Sequence, residues 1–214
     1  MVGILAVGAL GFAYWLVSSH ARTRSELASR IRRIGGRINF ANQDEDRSVD
    51  ETLRKARGII LTGLTEEISL LEVAKAFPET EFLKIGPMVS LEDWTASFQC
   101  MDQITDLVIE APKVGDDQLK GIANLKALDL LTLNDTAITD KSAESFANLS
   151  MLKYIEVKNT RVGDLWLSRI LESSDRVERL DISNTHVTDV GLHSIPPGLK
   201  RLYADGLPIT DVGL

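Results

Sequence analysis

At 214 residues with 44% hydrophobic and 26% charged content, the chain can bury a core and lacks the composition of a disordered protein. The net charge of −7 is unevenly spread: residues 1–57 carry 10 Lys and Arg against 6 Asp and Glu, and residues 58–214 carry 14 against 25. So acidic a body does not follow a phosphate backbone, which excludes nucleic acid as an expected partner, and a lone cysteine, Cys100, excludes an intrachain disulfide framework or multi-cysteine zinc site.

From Val2 to Val17 no residue is charged, and the run continues through Ser18 and Ser19 to the first arginine, Arg22. That is just enough for a transmembrane helix, which takes about 20 residues and about 17 at the short end. Tyr14 and Trp15 lie near one end, and Arg22, Arg24, Arg30, Arg32, Arg33 and Arg37 follow, the order of an anchor leaving a bilayer. Residues 1–21 are therefore expected to form a single-pass anchor. A cleaved signal peptide is the competing reading, because Ser19-His20-Ala21 resembles a small-residue cleavage site, but no basic region precedes the apolar run. The arginines after the segment place the next domain on the cytoplasmic side, with the exported side as the alternative. Ala6, Ala9 and Ala13 share one side of the segment, either as a helix-dimer face or because small residues are common in membrane helices.

Residues 22–57 read as a basic juxtamembrane helix with a linker or N-terminal cap. Leu27, Ile31 and Ile34 recur at helical spacing between Thr23 and Ile34, Gly35-Gly36 ends the helix, Arg37 to Phe40 suits a short strand, and Asn42 to Asp46 is an acidic turn. Contact with anionic lipid and a solvated stalk that caps the next domain are both open readings.

Residues 58–214 repeat. The pairs Ile59/Leu61, Leu83/Ile85, Leu107/Ile109, Leu131/Leu133, Ile155/Val157, Leu180/Ile182 and Leu202/Ala204 start seven units of about 24 residues, the last incomplete at Leu214. Each pair puts two side chains on the same face of a strand. Val114, Ile138, Val162, Val187 and Ile209 return the turn to the core. Asp116, Asp140, Asp164, Asp189 and Asp211 stand where a helix starts, so each is expected to cap its own unit's helix. Leu119, Ala143, Leu167, Leu192 and Leu214, with Ile122, Phe146, Ile170 and Ile195, form the buried helical stripe. The predicted fold is an α/β solenoid with a parallel sheet on its concave face and helices on its convex face. An exposed apolar edge is expected around Leu202, Ile209 and Leu214, to be covered by more chain or by a partner.

Asn134-Asp-Thr136-Ala-Ile-Thr-Asp140, Asn159-Thr-Arg-Val-Gly-Asp164 and Ser183-Asn-Thr-His-Val-Thr-Asp-Val-Gly-Leu192 resemble the bacterial leucine-rich-repeat pattern LxxLxLxxTxVTDxGLxxL. The apolar segment, the Arg-rich helix and Ile34-Gly-Gly-Arg-Ile38 resemble the front of bacterial membrane-tethered members of that family. The resemblance implies protein–protein recognition. Units one and two lack the Thr and Asp columns around Leu64 and Met88.

Catalytic motifs are absent: there is no GxGxxG or GxxxxGK[ST] loop and no GxSxG elbow. His186 and His193 lie near Asp189, but His186 shares a column with Lys113, Ala137, Arg161 and Pro208, unlike residues that suit an exposed turn. Cys100 lies in an apolar helical stretch and reads as buried filling. Thr136, Thr160 and Thr185 form a column whose hydroxyls are expected to satisfy turn backbone from unit to unit. No enzyme, cofactor or metal site is expected.

What remains is the presented face of the strands: Tyr154, Glu156 and Lys158, then Arg179, Asp181 and Ser183, then Arg201, Tyr203 and Asp205, preceded by Asp106, Glu110, Thr132 and Asn134. Aromatic rings and Arg dominate binding energy at interfaces. Tyr154, Glu156, Lys158, Arg179, Asp181, Arg201, Tyr203 and Asp205 are the candidate binding residues of a membrane-anchored recognition scaffold for another protein. A structural element that self-associates through its membrane helix and solenoid end is the alternative, and a hydrolase or metalloenzyme the distant third.

Overall fold

The computed structural model describes residues 23–40 and 56–210, so the segment Val2–Val17, the turn Asn42–Asp46 and Asp211–Leu214 lie outside the described residues. Among the described residues no helix is long and apolar enough to cross a membrane.

Residues 23–33 form helix α1. Its stripe of Leu27, Ala28, Ile31 and Ile34 is buried in the same core as the first unit. Arg24 pairs with Glu79 and lies 4.8 Å from the Phe77 ring centre, and Arg30 pairs with Glu72 at 3.2 Å. Strand β1 (Arg37–Phe40) follows and pairs antiparallel with β2 (Ala56–Leu61), setting Ile38 opposite Ile59. α1 and β1 thus pack onto the repeat array.

Strands β3 (Phe82–Ile85), β4 (Asp106–Ile109), β5 (Leu130–Thr132), β6 (Tyr154–Glu156), β7 (Arg179–Asp181) and β8 (Arg201–Tyr203) continue one eight-stranded sheet in chain order, each parallel to the last from β2 onward. Pairing aligns Ile59, Leu83, Leu107, Leu131, Ile155, Leu180 and Leu202 in one row, the register that the repeat columns predict. The return segments are α2 (Leu70–Ala76), α3 (Trp94–Cys100), 3-10 turns at Asp116–Leu119, Ile122–Asn124 and Asp140–Phe146, α4 (Asp164–Ser173) and α5 (Asp189–Leu192). A helix is about 10 Å across while neighbouring strands lie about 4.8 Å apart, so the helical side is wider and the sheet becomes the concave surface.

The buried core runs from Leu27 to Val187. Trp94 meets Phe98 edge-on at 5.9 Å, and Trp166 meets Phe146 at 5.1 Å. Toward the C-terminal end the core thins: Leu192, Ile195 and Ile209 are half-buried, short of the burial expected of the first two, and Leu202 is 43% exposed.

Three expectations need correction. Units three and four return through 3-10 turns, not α-helices. In unit four the Ser142 hydroxyl donates to the Thr139 carbonyl at 2.8 Å, a local bond that competes with regular helix.

The four described aspartates, Asp116, Asp140, Asp164 and Asp189, do not cap their own helices. Each is the first helical residue, and the cap position before it holds Gly115, Thr139, Gly163 or Thr188. The carboxylate instead serves the following unit. Asp140 Oδ1 accepts from the amides of Gly163 at 2.6 Å and Trp166 at 3.3 Å. Asp164 Oδ1 accepts from the amides of Thr188 at 2.8 Å and Gly191 at 3.0 Å, and its Oδ2 from the Thr188 hydroxyl at 2.7 Å. Asp116 binds Thr139 and Asp189 binds Thr210 through the same amide and hydroxyl pairs. Stacking brings the N-terminus of the next helix closer to the carboxylate than its own helix can.

The threonine column does not bridge units either. Thr136, Thr160 and Thr185 each donate 2.7 Å bonds to a carbonyl of their own unit, at Leu133, Val157 and Ile182. The bridge between units is the adjacent column of left-handed residues. Asn159 donates its side-chain amide to Asp135 at 2.8 Å and Asn184 donates to Asn159 at 2.9 Å, with backbone φ of 59°, 57° and 54° at Asp135, Asn159 and Asn184. Asp and Asn tolerate that conformation because their short side chains bond locally.

Candidate recognition face

Because strand side chains alternate, the buried pair of each unit leaves three positions facing the concave side. In β6–β8 and the residues that follow them these are the candidates: Tyr154, Glu156, Lys158, Arg179 and Asp181 are half-buried, and Arg201, Tyr203 and Asp205 are exposed. The register brings them together, with Tyr154 beside Arg179, Arg179 beside Arg201, and Glu156 beside Asp181 beside Tyr203.

Arg179 is the hub. Its Nη2 lies 2.9 Å from Glu156 Oε1, and its guanidinium carbon sits 5.2 Å from the Tyr203 ring centre. One stacked and one ionic contact hold the planar fork in place. Its Nε is shielded from solvent and has no hydrogen-bond partner among the described residues. Asn134 is tied into the same layer, donating to Glu156 at 3.4 Å and accepting from the Lys158 amide at 2.8 Å.

Two residues expected on the presented surface are not available there. Thr132 is 9% exposed and Ser183 is 5% exposed. Both are short side chains between longer neighbours, and the Ser183 hydroxyl accepts from the Asp205 amide at 3.3 Å while its own amide donates to Asp181 at 3.0 Å. Ser183 shapes the layer from below.

In the N-terminal half of the face, where Asp106, Glu110, Thr132 and Asn134 were expected, the apolar members went unnamed. Ile60, Phe82, Val108 and Leu130 occupy the same presented columns and are half-buried, beside a Lys84–Glu110 ion pair at 2.8 Å. The alternation with the buried pairs places them there. The face therefore mixes the apolar Ile60, Phe82, Val108 and Leu130 with Lys84, Asp106 and Glu110 over β2–β5, and is charged and aromatic over β6–β8.

Other candidates for chemistry stay apart. His186 is exposed, and His193 Nδ1 lies 2.6 Å from the Asp189 carbonyl oxygen. The Asp189 carboxylate is held below its ordinary range by the Thr210 hydroxyl and then the Thr210 amide. Cys100 packs half-buried against the core, not fully buried as expected. Among the described residues no three His, Cys, Asp or Glu side chains gather as metal ligands.

No protein-family model matches the chain, and no curated protein matches it. Solved structures do. One is an internalin from Listeria monocytogenes, similar at 20% identity with a TM-score of 0.51 over 71% of this chain and 44% of that one. The chain thus spans less than half of the internalin's length, and what the likeness establishes is the fold, a leucine-rich-repeat solenoid.

Proposed function

We propose that the chain is a membrane-tethered, non-catalytic recognition module that holds a protein partner along its concave sheet, with the repeat domain on the cytoplasmic side. The observation that carries this reading is Arg179, fixed between Glu156 and Tyr203 on the same sheet face that presents the apolar Phe82, Val108 and Leu130. An anchor that is ordered before binding loses little side-chain entropy on contact. The leucine-rich-repeat fold is compatible with such a role, and the uncharged run Val2–Val17 supports the tether.

The test is substitution of Tyr154, Arg179, Arg201 and Tyr203 by Ala. Thermal unfolding should change little, since surface substitutions usually shift stability by about 0.5 kcal/mol or less each. Binding of a partner recovered by proximity labelling should fall at least roughly thirtyfold, the loss expected when an interface anchor worth about 2 kcal/mol is removed. Unchanged binding in the fourfold variant would place the contact elsewhere.

A further inference from the structure

The convex turns carry a second patch that the core does not explain. Leu165 is 52% exposed and Val190 70% exposed. Each is the second residue of its helix, α4 or α5, so stacking sets them in one row, and Lys141 holds the same place in the preceding turn. The buried side of α4 is supplied by Trp166, Leu167, Ile170 and Leu171, which leaves Leu165 without a packing role. An open groove of about 740 Å3 is lined by Lys141, Arg161, Leu165 and His186 and also by Asp140 and Asp164.

The charges in this groove are unequal in what they can do. Asp140 and Asp164 already accept amide bonds from the helix starts they cap, whose positive ends answer their charge. Lys141 and Arg161 are exposed, and neither side chain makes an ion pair among the described residues. An isolated exposed aliphatic residue is ordinary. Two in a row, the first beside Arg161 and Lys141 in the groove and the second just beyond it, with Lys141 also acting at longer range on Asp117, form a complementary surface for an apolar side chain flanked by carboxylates.

We infer that this turn edge of units four to six docks an acidic peptide segment of a partner protein through an aliphatic side chain on Leu165 and Val190 and carboxylates on Lys141 and Arg161. The surface is separate from the concave face and does not depend on it.

Short synthetic peptides test the idea on the full-length chain in detergent: one with a central Leu between Asp and Glu residues, one with that Leu replaced by Ser, and one with the acids replaced by Lys. The acidic Leu peptide should perturb the amide resonances of Lys141, Arg161, Leu165 and Val190, and the other two should bind at least roughly tenfold more weakly. Affinity should drop further with added salt. Leu165→Asn combined with Arg161→Glu should abolish binding, and Arg201→Ala on the concave face should leave it unchanged. Circular dichroism of the double variant checks that it is folded. Equal binding of all three peptides, resonance changes confined to the concave face, or no binding by any peptide would overturn the proposal. So would self-association that Leu165→Asn abolishes, which would make a second copy the occupant.

Discussion

At Asp164 one carboxylate serves two backbone amides and one hydroxyl of the unit that follows it. That reach explains a small residue downstream: a Cβ on Gly191 would run into Asp164 Oδ1. Gly191→Ala should therefore displace the carboxylate and cost about 2 kcal/mol by chemical denaturation, in the range of a lost cap plus a strained contact. A second consequence concerns acid. Asp189 titrates below its ordinary value because its charged form accepts from Thr210, so its contribution is present above the ordinary aspartate range and is lost as pH falls through the depressed value. The Thr210 amide resonance should hold its hydrogen-bonded position down to that range and move only below it. Asp189→Asn should remove the step.

Among the elements, α1 bears most directly on how the array is closed. Its Ile31 is fully buried, and the Ile34 carbonyl accepts from the Thr65 amide at 2.8 Å, so the helix covers the apolar end that the first repeat would otherwise expose. Ile31→Ala should cost about 2–4 kcal/mol, and hydrogen exchange should rise first in β1 and β2 while β6 stays protected. Uniform loosening along the array would contradict a local cap. At the strand starts, charge reinforces register: Arg57 faces Glu81 at 3.7 Å, Lys153 faces Asp129 at 2.7 Å, and Lys200 faces Glu178 at 2.8 Å. Each exposed pair is worth at most about 1 kcal/mol. The larger constraint is the buried pair of each strand, since a one-residue slip would turn it to solvent.

The whole molecule carries an uncharged apolar front, Val2–Val17, ahead of an acidic repeat body. If Val2–Val17 is the tether, the full-length chain should remain with membranes after alkaline carbonate washing, because a spanning helix satisfies its own backbone bonds and is held by hydrocarbon. Recovery in the supernatant would remove the tether from the proposal and leave the recognition face untouched. The two candidate surfaces lie on different sides of the solenoid. The concave one is formed by strands, the other by the first turns of helices, and a partner on one leaves the other open.

The repeat columns by themselves determined the solenoid, the strand register and the sorting of each strand into buried and presented residues, because a period of two along a strand and a period near 24 along the chain leave only one way to stack. They also placed Tyr154, Arg179 and Tyr203 on one face of the sheet. Only the tertiary structure decided which unit each side chain serves. Asp140 and Asp164 cap the next helix, Thr160 and Thr185 bond within their own turn, and Asn159 and Asn184 carry the bridge, because the distance across a stacked unit rivals the distance along the chain. The same holds for Phe82 and Leu130 on the concave face and Leu165 on the turn edge. An apolar letter reads as core until its neighbours are placed, and at these three positions the stacked units leave part of the side chain in water.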